Sequence, residues 1–295
     1  MTDQAHTLRS LNADQPSTAF AADDQVASVF SVTSGKGGVG KTAVVANIAV
    51  SLATLGKKVL IFDADLGLAN IDVVFGLTPL YNLNHFFSGT KELSDILIEG
   101  PRGIKILPAG SGIQSFIRLD TRQKMLLMEG LDGLHDDFDY VLIDTEAGIS
   151  ENVTYFNTAA QEIILVTTPE PTAITDAYAL MKLMSTTYHE RHFNLIVNMV
   201  RSDNEALEVY KKLTTVANRY LDVSIDYLGS IPVDRQMNDA IRKQRAYVEL
   251  FPSSKIAAAF AALAGRLCSE TGPSVPKGNI QFFWKKLLRI GGEHG

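Results

Sequence analysis

Short apolar runs separated by stretches of helical periodicity organise this chain. Residues 27–32, 59–62, 104–107, 140–143, 163–167, 195–197 and 227–231 are largely unbroken apolar runs. Strands buried on both faces have that composition, because neither side of the pleat meets water. Between the runs, residues 43–55, 121–131, 172–187, 204–220, 235–244 and 254–267 read as helices, and Gly56 is a stop signal after the first of them. Strands alternating with helices predict an α/β fold, a mostly parallel twisted sheet with helices on both faces. Ligands of such sheets sit beyond the carboxyl ends of the strands.

The first strand–helix junction carries the clearest chemistry. Gly35-Lys36-Gly37-Gly38-Val39-Gly40-Lys41-Thr42 fits the phosphate-loop pattern GxxxxGK[ST] in the strand–loop–helix setting that the motif requires. Its glycines let backbone N–H groups turn inward around phosphates, Lys41 reaches the β and γ oxygens, and the Thr42 hydroxyl binds Mg²⁺. Tyr140-Val141-Leu142-Ile143-Asp144 is an apolar strand ending in an acid, the form of a Walker B strand, so Asp144 is a candidate for the Mg²⁺ shell. The blander role for such an acid is a helix N-cap. At the end of the 59–62 strand stand Asp63 and Asp65, expected to face different ways and to divide their labour; otherwise they are turn formers. Phosphoryl transfer needs positioning more than a strong base, so a carboxylate of ordinary acidity suffices.

Composition narrows the classes. A chain of 295 residues that is 46% hydrophobic favours one large α/β domain with a substantial core. Cys268 is its one cysteine, which excludes an internal disulfide or a self-contained cysteine cluster site and fits a reduced, cytoplasmic setting. A net charge of −6 counts against broad nucleic-acid binding. The N-terminus lacks the pattern of a signal peptide, and no apolar segment reaches the roughly 18 residues of a membrane span. The expectation is a soluble or peripherally attached protein.

Lys36, beside the first glycine, makes the loop resemble the deviant phosphate loop of the MinD/ParA family. That resemblance implies an ATPase in which Lys36 crosses a homodimer interface to touch the partner's nucleotide. It assigns Asp65 to orienting the attacking water, Asp63 to supporting the Mg²⁺ shell, and residues 144–148 to a switch II loop. The family usually carries a proline where Glu146 stands. Asn198 and the turn Pro232-Val233-Asp234 match positions that hold adenine in relatives, which implies ATP as the nucleotide. The catalytic set implied is therefore Lys36, Lys41 and Asp65, with Thr42, Asp63 and Asp144 on the metal side.

The two ends stand apart. Residues 12–26 and 271–278 read as flexible linkers, leaving residues 27–270 as the ATPase domain. Over residues 279–292, Ile280, Phe283, Trp284, Leu287, Leu288 and Ile290 fall on one side of a helix, with Lys285, Lys286 and Arg289 on the other. A short basic amphipathic helix of this kind suits an anionic membrane surface, although the same periodicity fits a helix docked on the body. Residues 1–11 contain Asp3-Gln4-Ala5-His6-Thr7-Leu8-Arg9, which resembles the DQAxxLR activator segment of the FlhG (FleN, YlxH) family. Asp65-Leu66-Gly67-Leu68-Ala69-Asn70 and the stretch from Glu170 to Tyr178 are similar to the same family.

Membership would imply control of flagellar number and placement. It would also imply ATP-dependent dimerisation and association with the cytoplasmic face of the inner membrane. An FlhF-like GTPase stimulated by the N-terminal segment, flagellar switch (C-ring) components and a flagellar transcription activator are the partners implied. The alternatives are a ParA-type DNA-partitioning ATPase, a division-site MinD, or a titration module in which hydrolysis is incidental.

Overall fold

The computed structural model describes residues 27–110, 119–132, 134 and 137–270. The N-terminal segment, both linkers and the predicted 279–292 helix lie outside the described residues. Among the described residues the chain builds one eight-stranded sheet, ordered β3-β4-β2-β5-β1-β6-β7-β8. Its strands are β1 (Ser28–Ser34), β2 (Val59–Ala64), β3 (Ile98–Glu99), β4 (Lys105–Leu107), β5 (Tyr140–Ala147), β6 (Glu162–Thr167), β7 (His192–Val200) and β8 (Ser224–Pro232). All neighbours pair parallel except β3, which runs antiparallel to β4 at one edge.

Each continuous apolar run is divided between two cores by the pleat. In β2, Ile61 joins the core on one face, while Leu60 and Phe62 join the core on the other. The first face is covered by α1 (Lys41–Thr54) and α11 (Lys255–Glu270), whose Val44, Ile48, Leu52, Phe260, Leu263 and Leu267 are buried together. Cys268 lies near the end of α11, half-buried against this core. The other face is covered by α5 (Thr121–Asp132), α6 (Glu151–Ala159), α7 (Pro171–Tyr188) and α8 (Asp203–Tyr220). Helix α8 shows how the sequence sets such an element: Ser202 Oγ accepts from the Glu205 N–H at 3.2 Å, and Ala206, Val209, Leu213 and Ala217 form its buried stripe.

The predicted strands and long helices all occur, with ends shifted by a few residues, and β5 continues past Ile143 to Ala147. Several short elements were not predicted: β3, α2 (Ile71–Val74), α3 (Leu83–Phe87), α4 (Leu93–Ile96) and α10 (Tyr247–Leu250), besides α6. Helix α6 escapes pattern reading because it buries Thr154, Asn157 and Thr158 together with Val153 and Phe156. Asn157 supplies the polar partners that β1 needs in the core, accepting from Ser31 Oγ and donating to Thr33 Oγ1 at 3.3 Å.

Candidate functional site

The carboxyl ends of β2, β5 and β1 are neighbours in the sheet, so the two acidic segments and the glycine loop emerge together. The loop from Gly35 to Gly40 leaves β1 and runs straight into α1. Gly40 has φ 84°, a left-handed conformation that glycine adopts without steric cost, and a Cβ there would meet Asn198 Nδ2 at 2.6 Å. Gly35 faces a tighter limit, since a Cβ on it would fall 2.2 Å from the carbonyl carbon and oxygen of Asp176 in α7. Asn198 braces the loop by donating from Nδ2 to the Val39 carbonyl at 2.8 Å.

Lys41 opens α1 and reaches back over β5. Its Nζ lies 2.5 Å from Asp144 Oδ1, with the two side chains 8% and 1% exposed. The Thr42 hydroxyl lies close to the same carboxylate and favours its charged form. Burial pushes the Asp144 carboxyl above the usual range; the Lys41 charge, the Lys41 hydrogen bond and the Thr42 hydroxyl pull it down, and the Asp65 charge pushes it up. The pair is thus the site's buried electrostatic centre. The structure brings the candidate metal-side residues Thr42 and Asp144 into contact.

Asp63 stands opposite Asp144 in the β2–β5 register. Its carboxylate accepts three backbone N–H groups, from Asp65 at 3.2 Å, Asn70 at 2.9 Å and Ile71 at 3.0 Å. Burial first and the Asp144 charge second raise its pKa to about 7, against the pull of those hydrogen bonds. Because β2 extends to Ala64 and the chain then turns, Asp63 is buried while Asp65 is half-buried, with its Oδ1 accepting from the Leu68 N–H at 2.9 Å. The folded state therefore holds the Asp63 proton more tightly than the unfolded chain does. That contribution to stability is complete below about pH 4 and is lost as pH rises through 7. In Mg²⁺-free and nucleotide-free buffer, the unfolding midpoint is expected to fall between about pH 4 and 7. The fall should be smaller in Asp63→Asn, where the raised Asp144 carboxyl still contributes; an equal fall in that variant would remove Asp63 as its source.

The 144–148 segment is held at two points. The Gly148 N–H donates to the Ser34 carbonyl at 2.8 Å, and Glu146 Oε1 accepts from Ser150 Oγ. Ser150 in turn caps α6 by accepting from the Val153 N–H. Glu146, at the departure from the family pattern, thus tethers the loop to the helix cap.

The adenine-side candidates are partly engaged within the chain. Asn198 Oδ1 also accepts from the Met199 N–H at 2.9 Å, and Asp234 accepts from the Gln236 N–H at 2.8 Å and from the Tyr247 hydroxyl at 2.9 Å. Pro232 ends β8, and Val233 is exposed beyond it. Met199, also exposed, has φ 59° and sits by Gly40. Lys36 turns toward its own chain: its Nζ lies 2.6 Å from Glu170 Oε1 and 2.7 Å from Thr172 Oγ1. That bond holds the Glu170 carboxyl below the usual range. Met199 and Tyr247 carry no signature of their own in the sequence, and Glu170 and Thr172 lie in the family-like stretch 170–178 without a role that the sequence assigns them.

Among the described residues no group of three or more His, Cys, Asp or Glu side chains is arranged to hold a metal alone. The Thr42 hydroxyl and the Asp63 and Asp144 carboxylates are nonetheless hard oxygen donors, which fits Mg²⁺ that keeps water and phosphate oxygens among its ligands.

The ParA family model, described as NUBPL iron-transfer P-loop NTPase, matches residues 25–268. Antiactivator FleN of Pseudomonas aeruginosa is 45% identical over 88% of this chain and 93% of its own. Flagellum site-determining protein YlxH of Helicobacter pylori is 35% identical over 98% of this chain and 99% of its own. Among solved structures, the septum site-determining protein MinD of Pyrococcus horikoshii, complexed with Mg-ADP, superposes with a TM-score of 0.69 and 28% identity, covering 83% of this chain and 98% of that one. Its phosphate loop, Lys41–Asp144 pair and mostly parallel sheet agree with these matches, and the chain belongs to the ParA-type P-loop NTPase family, among the MinD-like proteins that include FleN and YlxH.

Proposed function

We propose that this protein is an ATP-driven switch that regulates flagellar number and placement. The observation that carries the catalytic part is the buried Lys41–Asp144 pair, with Thr42 on the same carboxylate, under a glycine loop braced by Asn198. The FleN and YlxH relatives support the flagellar part.

In this reading the backbone N–H groups of residues 37–42 cradle the phosphates, and Lys41 leaves Asp144 to meet the β and γ oxygens. Thr42, Asp63 and Asp144 would hold Mg²⁺, which when bound supplies positive charge to the phosphoryl oxygens. Asp65 orients the water for attack. Asn198, Pro232, Val233 and Asp234 flank the adenine. ATP closes a homodimer in which Lys36 reaches the partner's nucleotide; the dimer presents two copies of the 279–292 segment to the cytoplasmic face of the inner membrane. Two weak anchors bind far more tightly than one, so nucleotide state sets location. Residues 1–11 stimulate an FlhF-like GTPase, and C-ring components and a transcription activator are the other partners. Hydrolysis resets the cycle.

Co-sedimentation with anionic liposomes tests the switch. Pelleting with a non-hydrolysable ATP analogue, absent with ADP and lost when the chain is truncated before Gly278, is the expected result. A protein that stays in the supernatant in every nucleotide state would remove the membrane step and bring the DNA-partitioning and titration readings forward.

A further inference from the structure

A lysine between two glycines has no helix or strand to direct its side chain, so its neighbours decide where the ammonium rests. Here those neighbours form a small, complete site at the start of α7. Lys36 Nζ meets Glu170 Oε1 at 2.6 Å and Thr172 Oγ1 at 2.7 Å, and Thr172 Oγ1 donates to the same Glu170 oxygen at 2.9 Å. Glu170 is the N-cap residue of α7, yet its side chain makes no capping hydrogen bond to that helix. Its carboxylate is committed to Lys36 instead. Pro171 between the two contact residues fixes the backbone of the first turn of a helix 18 residues long. One turn further on, the Asp176 carbonyl touches Gly35 closely enough to exclude any Cβ. The entrance to the phosphate loop is therefore tied to α7 twice, at Gly35 by backbone contact and at Lys36 by charge.

That charge contact competes with any phosphate for the same ammonium. We propose that Glu170, assisted by Thr172, is a latch that holds Lys36 on its own chain, so that each ATP-bound protomer must part this contact before Lys36 can serve across the dimer interface. Glu170 is then a positioning residue that sets how much ATP-bound protein is needed for dimers to form. The proposal rests on the ATP-dimer reading above. The contact is partly solvated, with Lys36 33% and Glu170 57% exposed, which suits a latch that opens within each cycle. An exposed pair of this kind shifts an equilibrium by about threefold, and two open per dimer, so together they weigh about tenfold on the dissociation constant.

The test is sedimentation velocity of the full chain with Mg²⁺ and a non-hydrolysable ATP analogue over a range of protein concentrations. Glu170→Gln is expected to dimerise at about tenfold lower concentration than the unchanged protein. Thr172→Val, which keeps the branched shape, should shift the same way by less. Thermal midpoints and the affinity of the dilute monomer for the analogue should stay unchanged. The direction separates the latch from a merely structural role, because loosening the start of α7 would weaken the dimer. Equal or weaker dimerisation of Glu170→Gln would overturn the latch while leaving the dimer reading intact. Absence of any analogue-dependent dimer in the unchanged protein would overturn both.

Discussion

Replacing Lys41 with methionine is expected to abolish ATP turnover and, in the same protein without nucleotide, to lower the unfolding midpoint by about 10 °C. The second effect follows from burial. Asp144 is 1% exposed, and its ion-pair partner is Lys41 at 2.5 Å. Asp63 faces it across the sheet, and the Asp65 charge reaches it as well. Methionine fills the volume of lysine but leaves this carboxylate cluster without the cation. Breaking a buried pair on one side costs about 3–5 kcal/mol, and each kcal/mol moves the midpoint of a domain of this size by about 2–4 °C. Turnover should fall by at least about 10³-fold, because in the proposed cycle Lys41 is also the charge that meets the phosphoryl oxygens. A second substitution separates the two losses. Asp144→Asn added to Lys41→Met removes the stranded charge, so calorimetry should show most of the stability restored while phosphate release stays at background. A Lys41→Met protein as stable as the unchanged one would show that the strand end tolerates its acids without a cation.

Asp65→Asn should reduce hydrolysis by about 10²–10³-fold, within the range of a positioned proton acceptor, while ATP binding and ATP-dependent dimers persist. Asparagine keeps a side-chain oxygen for the Leu68 N–H, so the turn that holds this residue survives and only the charge is lost. Asp65→Ala loses the turn as well and should add about 1 kcal/mol of instability to the same kinetic defect. Single-turnover phosphate release, run beside sedimentation, reads both quantities. Hydrolysis within about tenfold of normal in Asp65→Asn would transfer the water-orienting role to another group.

The parts of this molecule that could be read from its sequence are those where one residue type has one physical reason to be there. Unbroken runs such as 59–62 and 140–143 announced strands buried on both faces, and the glycine loop announced its own fold, because Gly40 at φ 84° and Gly35 against Asp176 leave no room for a Cβ. Lys41 and Asp144, singled out in separate motifs, lie together at the ends of neighbouring strands as a buried ion pair. What escaped depends on contacts between distant segments. Helix α6 hides because Asn157 serves the hydroxyls of β1, so a polar residue occupies a core position. The anchoring of Asp234 by Tyr247 and the resting place of Lys36 on Glu170 are pairings across loops that no local pattern encodes. Asp63 and Asp65 were found as a pair, but the extension of β2 to Ala64 is what buries one and leaves the other half-exposed.

Cys268, the chain's one thiol, lies half-buried near the end of α11, at the root of the segment that leads to residues 279–292. A small thiol-reactive fluorophore placed there requires no added or removed cysteine. Energy transfer from that dye to an acceptor dissolved in a lipid bilayer would then act as a ruler between the protein body and the bilayer plane, read continuously while nucleotide is exchanged.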